Sequence, residues 1–515
     1  MPRKSLPTSS SSSHHAHHHD ARETIVHGRD FFTATDIYKF LTCPHWPYFD
    51  RFATPEEQAL RRELTEGEKK RLDDGYLHER EVMEGLFGAS DVATLEGEGD
   101  SLAQFEATRE AMERGVAYIY QGTLMHGDWL GRPDLLVRTE GASAVGNWHY
   151  RPLDVKSAHE LKPVHRSQLV FYSLLLKEVQ GVMPETAGII NRDHEEHWFD
   201  PSSELEKFEE IREAIDHIRA QEKPDPVVRK SCFDTGPWGE ACLAFAKERN
   251  DIALLYNVDV KKLRALRDLG IETVADAAAM DVESYVGAVV GLTRHALETI
   301  KAQAISLDRN AVIVKEPVAF PEVDCEIYFD IESDLPNDVD YLYGFYIRDA
   351  SGNRYRPFLA EKPEDEHQMW ADFLAWLETL PLRYVVYHYA AYETMRLELL
   401  TDRYGGSEAL NLFMSRMVDI KPFATKCVTF PLYFYGLKYI CKTLGFAWRG
   451  GIKTGGESID WYENWCTTGD RALLNEVIEY NEDDVLATAF LKDWLTTYAK
   501  TPVMYEAPYP WAGNV

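Results

Sequence analysis

The sequence predicts a multidomain α/β protein, with two mixed α/β domains flanking a small helical middle. Three observations carry this. The chain has 515 residues, which suits several domains better than one. Short apolar runs with a period of two alternate with amphipathic stretches of helical period. Two proline- and glycine-bearing stretches, at residues 224–250 and around Pro317 and Pro321, break the pattern into parts. The expected divisions are 1–22, 23–250, 251–317, 318–500 and 501–515.

Residues 1–22 are rich in Ser and His and are expected to be a disordered tail. A short helix is expected over 35–49, ending at Cys43-Pro44, and a charged helix over 56–86. Strands follow at 124–129, 134–137 and 150–155, then an amphipathic helix over 164–176 and strands at 187–190 and 197–199. In the middle, helices at 263–271, 274–280 and 296–304 are separated by Gly270 and Gly291. Beyond Pro321, strands are expected at 326–331, 341–348 and 384–388, with helices filling the rest to about residue 498 and a tail over 501–515.

A hydrophobic content of 45% is ordinary for chains that bury a core, and no apolar run is long enough to span a bilayer. The expectation is a cytoplasmic protein with no membrane partner. Fifty-five basic against 85 acidic residues give a formal charge of −30, which excludes a broadly basic nucleic-acid-binding face. Any nucleic-acid path is expected to be a confined groove whose carboxylates are offset by cations. Seven cysteines in a chain this long do not form a disulfide framework.

The first chemical constellation is Gly131-Arg132-Pro133-Asp134 followed by Leu153-Asp154-Val155-Lys156. Asp154 and Lys156 are two apart and so project from one face of a strand. Asp134 and Asp154 can hold Mg²⁺ or Mn²⁺ through oxygen, and Lys156 can polarise water and stabilise charge on a phosphate. His78 on the preceding helical stretch is a candidate imidazole ligand, and Gln168 and Tyr172 share a helix face.

These residues resemble the RecB-type nuclease family of the PD-(D/E)xK superfamily, over roughly residues 30–245. The resemblance implies a restriction-endonuclease-like α/β core, with His78, Asp134 and Asp154 as ligands and Lys156 as the catalytic ammonium. It implies that Gln168 and Tyr172 position nucleic acid. Relatives of this type add an iron–sulfur cluster held by four cysteines. Cys43, Cys232 and Cys242 match three of them, but no thiol stands between Cys232 and Trp238, so an intact cluster is not expected. The helices around Gly270 and Gly291 resemble a helix-hairpin-helix module, with a plain helical linker as the alternative.

The second constellation is Tyr328-Phe329-Asp330-Ile331-Glu332, an apolar strand with two carboxylates on one face. Carboxylates at the end of a buried strand are costly without a cation. Far along the chain, Tyr480 and Asp484 share a face of a helix, where a hydroxyl beside a carboxylate can position water. This half is similar to RNase H-like exonucleases with DEDD-type sites, over roughly residues 320–500. The resemblance implies Asp330, Glu332, Glu393 and Asp484 as ligands of two divalent cations roughly 3.5–4 Å apart, with Tyr480 catalytic. Glu393 stands where the family carries Asp, and its longer stem changes the reach. Gly436-Leu437-Lys438 and Leu444-Gly445-Phe446 also fit the family.

Together the two constellations imply a divalent-metal-dependent nuclease, with DNA the favoured substrate, RNA the alternative, and nucleic-acid processing or repair the setting. No phosphate-cradling Gly-x-x-x-x-Gly-Lys-Ser/Thr loop is present, so unwinding would fall to a helicase partner. The alternative from another class is a noncatalytic nucleic-acid-binding or assembly protein.

Overall fold

The computed structural model describes residues 25–26, 29–86, 92–95, 100–157, 162–256, 258–289, 291–452 and 454–511. The expected tail over 1–22 lies outside them. The described residues form two compact units: those within 1–62, 72–225 and 231–238 make the first, and those within 63–71, 226–230 and 239–515 the second.

The first unit is built on six strands: β1 (Val92–Thr94), β2 (Tyr118–Tyr120), β3 (Leu135–Ser143), β4 (Gly146–Val155), β5 (Ala187–Ile190) and β6 (Glu196–Phe199). They lie side by side in the sheet in chain order, β6-β5-β4-β3-β2-β1. Only β1/β2 and β4/β5 run parallel. A parallel pair needs a crossover, and a helix supplies each one. Ser101–Arg114 joins β1 to β2, and Pro163–Gln180 joins β4 to β5. The latter buries Leu169, Val170, Leu175 and Leu176 against Leu136, Tyr150 and Ile189 of the sheet. At its end the buried Gln180 amide accepts from the Tyr150 N–H (2.7 Å) and donates to the Tyr150 carbonyl (2.9 Å), so the strand keeps its bonds where the helix leaves it.

The helix expected over 35–49 is two helices, Ala34–Thr42 and Trp46–Phe52. Pro44 follows Cys43 and ends the first, and Pro47 fits the first turn of the second. Likewise the charged stretch from 56 splits into Pro55–Gln58 and Glu66–Leu86.

In the second unit, helix Gly239–Glu248 is followed by helices Val260–Asp268, Val274–Ala279, Val282–Tyr285 and Arg294–Arg309. Gly270 and Gly291 stand between them with φ of +79° and +94°, turns that glycine makes at least cost. The segment after them is not a bare linker: Ala311–Val314 pairs with Val428–Thr429 on one side and Val503–Glu506 on the other. The residues expected as a C-terminal tail therefore complete a three-stranded sheet, and Trp511 is buried in the same core.

The main sheet of this unit contains β7 (Cys325–Asp334), β8 (Val339–Asp349), β9 (Gly352–Leu359), β10 (Tyr384–His388) and β11 (Met417–Asp419), in the order β9-β8-β7-β10-β11. The first three pair antiparallel, and β10 and β11 run parallel to β7. The period of two divides β7 cleanly. Ile327, Phe329 and Ile331 pack with Phe345, Phe373 and Trp376 on one face, Phe329 and Phe345 stacking at 4.5 Å. Tyr328 turns the other way, into the core shared with Val485 and Leu491 of the long helix Arg471–Tyr498. Asp330 and Glu332 continue that second face, beneath the long helix.

Candidate metal centres

In the first unit Asp134 immediately precedes β3, and Asp154 lies at the end of the neighbouring β4. The antiparallel pairing sets them side by side. The Asp134 N–H donates to Asp154 Oδ1 (3.2 Å), and the Val155 N–H donates to Asp134 Oδ2 (2.8 Å). Lys156 follows β4, and its Nζ lies 3.0 Å from Asp154 Oδ2 and 3.9 Å from Asp134 Oδ2. Gly131 lets the crossover helix close on this end of the sheet: a Cβ there would sit 2.6 Å from Leu175 and 2.9 Å from Tyr172.

Burial, then the neighbouring Asp154 charge, raises the Asp134 carboxyl well above the usual range. Burial opposes the Lys156 charge, but Asp154 and Asp134 outweigh it and hold the ammonium protonated. A third carboxylate joins them. Glu79 accepts from the Tyr120 hydroxyl (3.1 Å) and the Gln121 amide (2.6 Å). Its carboxyl is raised by burial, with Asp154 adding to the shift and Lys156 countering it.

Of the two neighbours it is Glu79, not His78, whose charge bears on Asp134, Asp154 and Lys156. His78 turns instead toward the stretch from Asn191 to His194, its ring 5.7 Å from that of His194. The reason is helical geometry: residues 78 and 79 stand about 100° apart around the axis, so only one of them can face the sheet end. Tyr172 is buried and its hydroxyl feels Asp154, Asp134 and Glu79, so it lies on the side of the centre. The Gln168 amide, by contrast, donates to the Ala34 carbonyl (3.3 Å) and ties two helices together. His165, one turn earlier, was not anticipated. Burial and then the Lys156 charge lower it to about 4. The spacing of His165, Gln168 and Tyr172 on one helix face was the available signal. Cys43 and Cys232 are brought together in the first unit, their Sγ atoms within 4.8 Å of one another, and Cys242 is buried as well.

In the second unit carboxylate oxygens of Asp330, Glu332 and Asp484 all lie within 4.8 Å of one another. β7 supplies the first two and the long helix the third. Burial, and then the repulsion of Asp484, pushes the Glu332 carboxyl up to about 8. Asp330 is raised well above the usual carboxylate range by burial, Asp484, Glu332 and Glu393 in turn. Asp484 is raised by burial but relieved by Lys438, Trp448 and Tyr480. The Trp448 indole N–H donates to Asp484 Oδ1 (2.6 Å), and Lys438 Nζ donates to the Tyr480 hydroxyl (2.6 Å).

Glu393 stands apart from this triad. The carboxylates that gather here are those of Asp330, Glu332 and Asp484. Glu393 Oε2 lies 3.2 Å from Nδ1 of the buried His388, at the end of β10. Its charge reaches Asp330 but its carboxylate is tied back to the neighbouring strand. Lys438 and Trp448 had no expected role. Lys438 lies in the Gly436-Leu437-Lys438 stretch, but nothing local links Trp448 to a carboxylate thirty-six positions away.

The donor set fits a hard divalent cation. Three oxygens of like charge crowd a site of low dielectric, and their raised proton affinities express a deficit of positive charge. No curated protein matches the chain. A family model of the RNase H superfamily matches residues 327–496, the span from β7 through most of the long helix. The second unit thus contains an RNase H-like domain, and its acid triad lies within it.

Proposed function

We propose that this protein is a divalent-metal-dependent nuclease that hydrolyses phosphodiester bonds, of DNA in the first instance and of RNA as the alternative. The observation that carries the proposal is the convergence of Asp330, Glu332 and Asp484 from strand and helix into one buried acid cluster within an RNase H-like domain. Asp330, Glu332 and Asp484 would hold Mg²⁺ or Mn²⁺, with Glu393 contributing from the second rank. Bound there, the ions supply charge neutralisation at the phosphate and acidify the attacking water. Tyr480 orients that water through its hydroxyl, whose proton is directed by the Lys438 ammonium bonded to its oxygen. Burial of Glu332 and Asp484, with Asp330 half-buried beside them, limits bulk water and strengthens each electrostatic contact.

The first unit is proposed as a second, RecB-type centre. Asp134, Asp154 and Glu79 are its acids, Lys156 the group that meets phosphate charge, and Tyr172 and His165 line its approach. End-labelled single- and double-stranded DNA and RNA, incubated with the chain in Mg²⁺ or Mn²⁺, test the proposal. Cleavage should be lost when Asp330→Ala/Glu332→Ala is combined with Asp154→Ala/Lys156→Ala. Unchanged cleavage in that combined variant, or none by the parent on any substrate, refutes it.

One observation favours a noncatalytic reading. Each acid cluster contains its own ammonium, Lys156 in one and Lys438 in the other, which offsets charge without a metal. Calorimetric titration with Mn²⁺ separates the readings, because a binding scaffold should take up no ion dependent on Asp134 or Asp330.

A further inference from the structure

The long helix presents an amide to the acid cluster between Tyr480 and Asp484. Asn481 is fully buried. Its Nδ2 donates to Asp330 Oδ2 (2.8 Å) and lies 3.4 Å from the Asp330 carbonyl oxygen. Its Oδ1 accepts from the hydroxyl of Tyr355 on β9, at 2.8 Å. The two ends of the amide thus agree on its orientation. A carboxylate can only accept, so the NH₂ faces Asp330 and the oxygen faces the phenol.

The sheet is shaped to admit this amide. In the β7/β8 ladder the residue opposite Asp330 is Gly344. A Cβ at position 344 would sit 1.5 Å from Asn481 Oδ1 and 3.0 Å from the Tyr355 hydroxyl. Glycine weakens a strand interior, and here its presence has a specific cause: any side chain would fill the slot through which the amide reaches the acid. Three strands and one helix therefore contribute to holding the Asp330 carboxylate, and the same amide also bonds Glu332 beside it.

The chemistry of the group also fits. Asp330 is repelled by Asp484 and Glu332, and an unheld carboxylate would rotate away from them. An ammonium at 481 would compete with a cation for the cluster, and an acid would add to the repulsion. An amide supplies a donor without charge and leaves Asp330 Oδ1 for a ligand.

We propose that Asn481 is the positioning residue of the second centre. Passed through the Gly344 slot and oriented by Tyr355, it fixes the Asp330 carboxylate in the attitude that binds a divalent cation. This rests on the metal-dependent reading above and adds to it the device that sets the ligand geometry.

The test is Mn²⁺ binding by titration calorimetry on the full chain, in an Asp134→Ala/Asp154→Ala background that silences the first centre. Asn481→Ala should weaken Mn²⁺ binding ~10–100-fold, the usual effect of removing a partner behind a ligand. Gly344→Ala should do the same by displacing the amide. The double variant should be no worse than either single, because the added methyl then enters the space the amide vacated. Tyr355→Phe, which removes one oxygen, should weaken binding by about fivefold. Binding by Asn481→Ala within twofold of the parent, or additive losses in the double variant, overturns the proposal. A parent that binds no Mn²⁺ through Asp484 would instead sink the metal-dependent reading. A metal-free crystal structure of Asn481→Ala would then decide: Asp330 in its parental rotamer overturns the positioning role.

Discussion

Glu79 and His78 are neighbours on one helix, yet only Glu79 reaches the carboxylates of the first centre. A purely local reading favours the imidazole, because histidine is a frequent ligand. The structure gives the position to the residue whose direction suits it. Cleavage by the first centre alone, measured with the second disabled by Asp330→Ala/Glu332→Ala, should therefore fall ~10–100-fold in Glu79→Gln. His78→Ala should stay within a few-fold of its parent, and the reverse ranking would return the role to His78. The second centre makes a pH-dependent prediction. Glu332 is raised from an ordinary 4.5 to about 8, with Asp330 raised in the same sense. Between those values the folded chain keeps a proton that the unfolded chain has lost, so stability declines as pH rises through that window. Calorimetric melting in chelator should show the second unit less stable at about pH 8 than at about pH 5.5. Saturating Mn²⁺ should flatten the difference, since a bound cation replaces the proton. A pH-independent melt in chelator would argue against a buried, repelling triad.

Among the elements, period decides face and packing decides partner. β7 alternates Phe329 and Ile331 toward one layer with Asp330 and Glu332 toward the other. That division was legible in the sequence, as was the pairing of Tyr480 with Asp484 one helical turn apart. The splitting of the helix over 35–49 was half legible, since Cys43-Pro44 marked the end of one helix but not the start of the next. Strands β9 and β11 were not foreseen. β9 is largely exposed, with a mixed charged pattern, and β11 has only three residues, so neither carries a strong periodic signal. Close approach of elements is also invisible locally. At Gly131 the crossover helix comes so near that Gly131→Ala would press on Leu175 and Tyr172. Overpacking there should cost ~1–3 kcal/mol in thermal or denaturant unfolding, and should lower first-centre activity because Tyr172 is displaced. A variant as stable as the parent would show that the helix yields freely.

At the scale of the whole molecule, the two acid centres lie in different compact units and share no residue. Their contributions to cleavage should accordingly add. The rates that survive in Asp154→Ala/Lys156→Ala and in Asp330→Ala/Glu332→Ala should sum, within about a factor of two, to the parent rate on a substrate both can cut. A loss of all cleavage in either variant alone would mean that one centre prepares the substrate for the other. Among the described residues no helix is long and apolar enough to cross a membrane. The formal charge of −30 places the burden of substrate attraction on local cations and ions within the centres, so cleavage should depend steeply on divalent concentration.

By itself the sequence determined which side chains share a face: Asp330 with Glu332, Tyr480 with Asp484, and Asp154 near Lys156. Those relations follow from the repeats of strand and helix, which any stretch of chain obeys on its own. Only the tertiary structure decided which faces meet. It brought Glu79 to Asp134 and Asp154, tied Glu393 back to His388, set Trp448 on Asp484, and opened Gly344 to let Asn481 reach Asp330. Such meetings depend on how separate elements pack, and packing is a property of surfaces that no local period records.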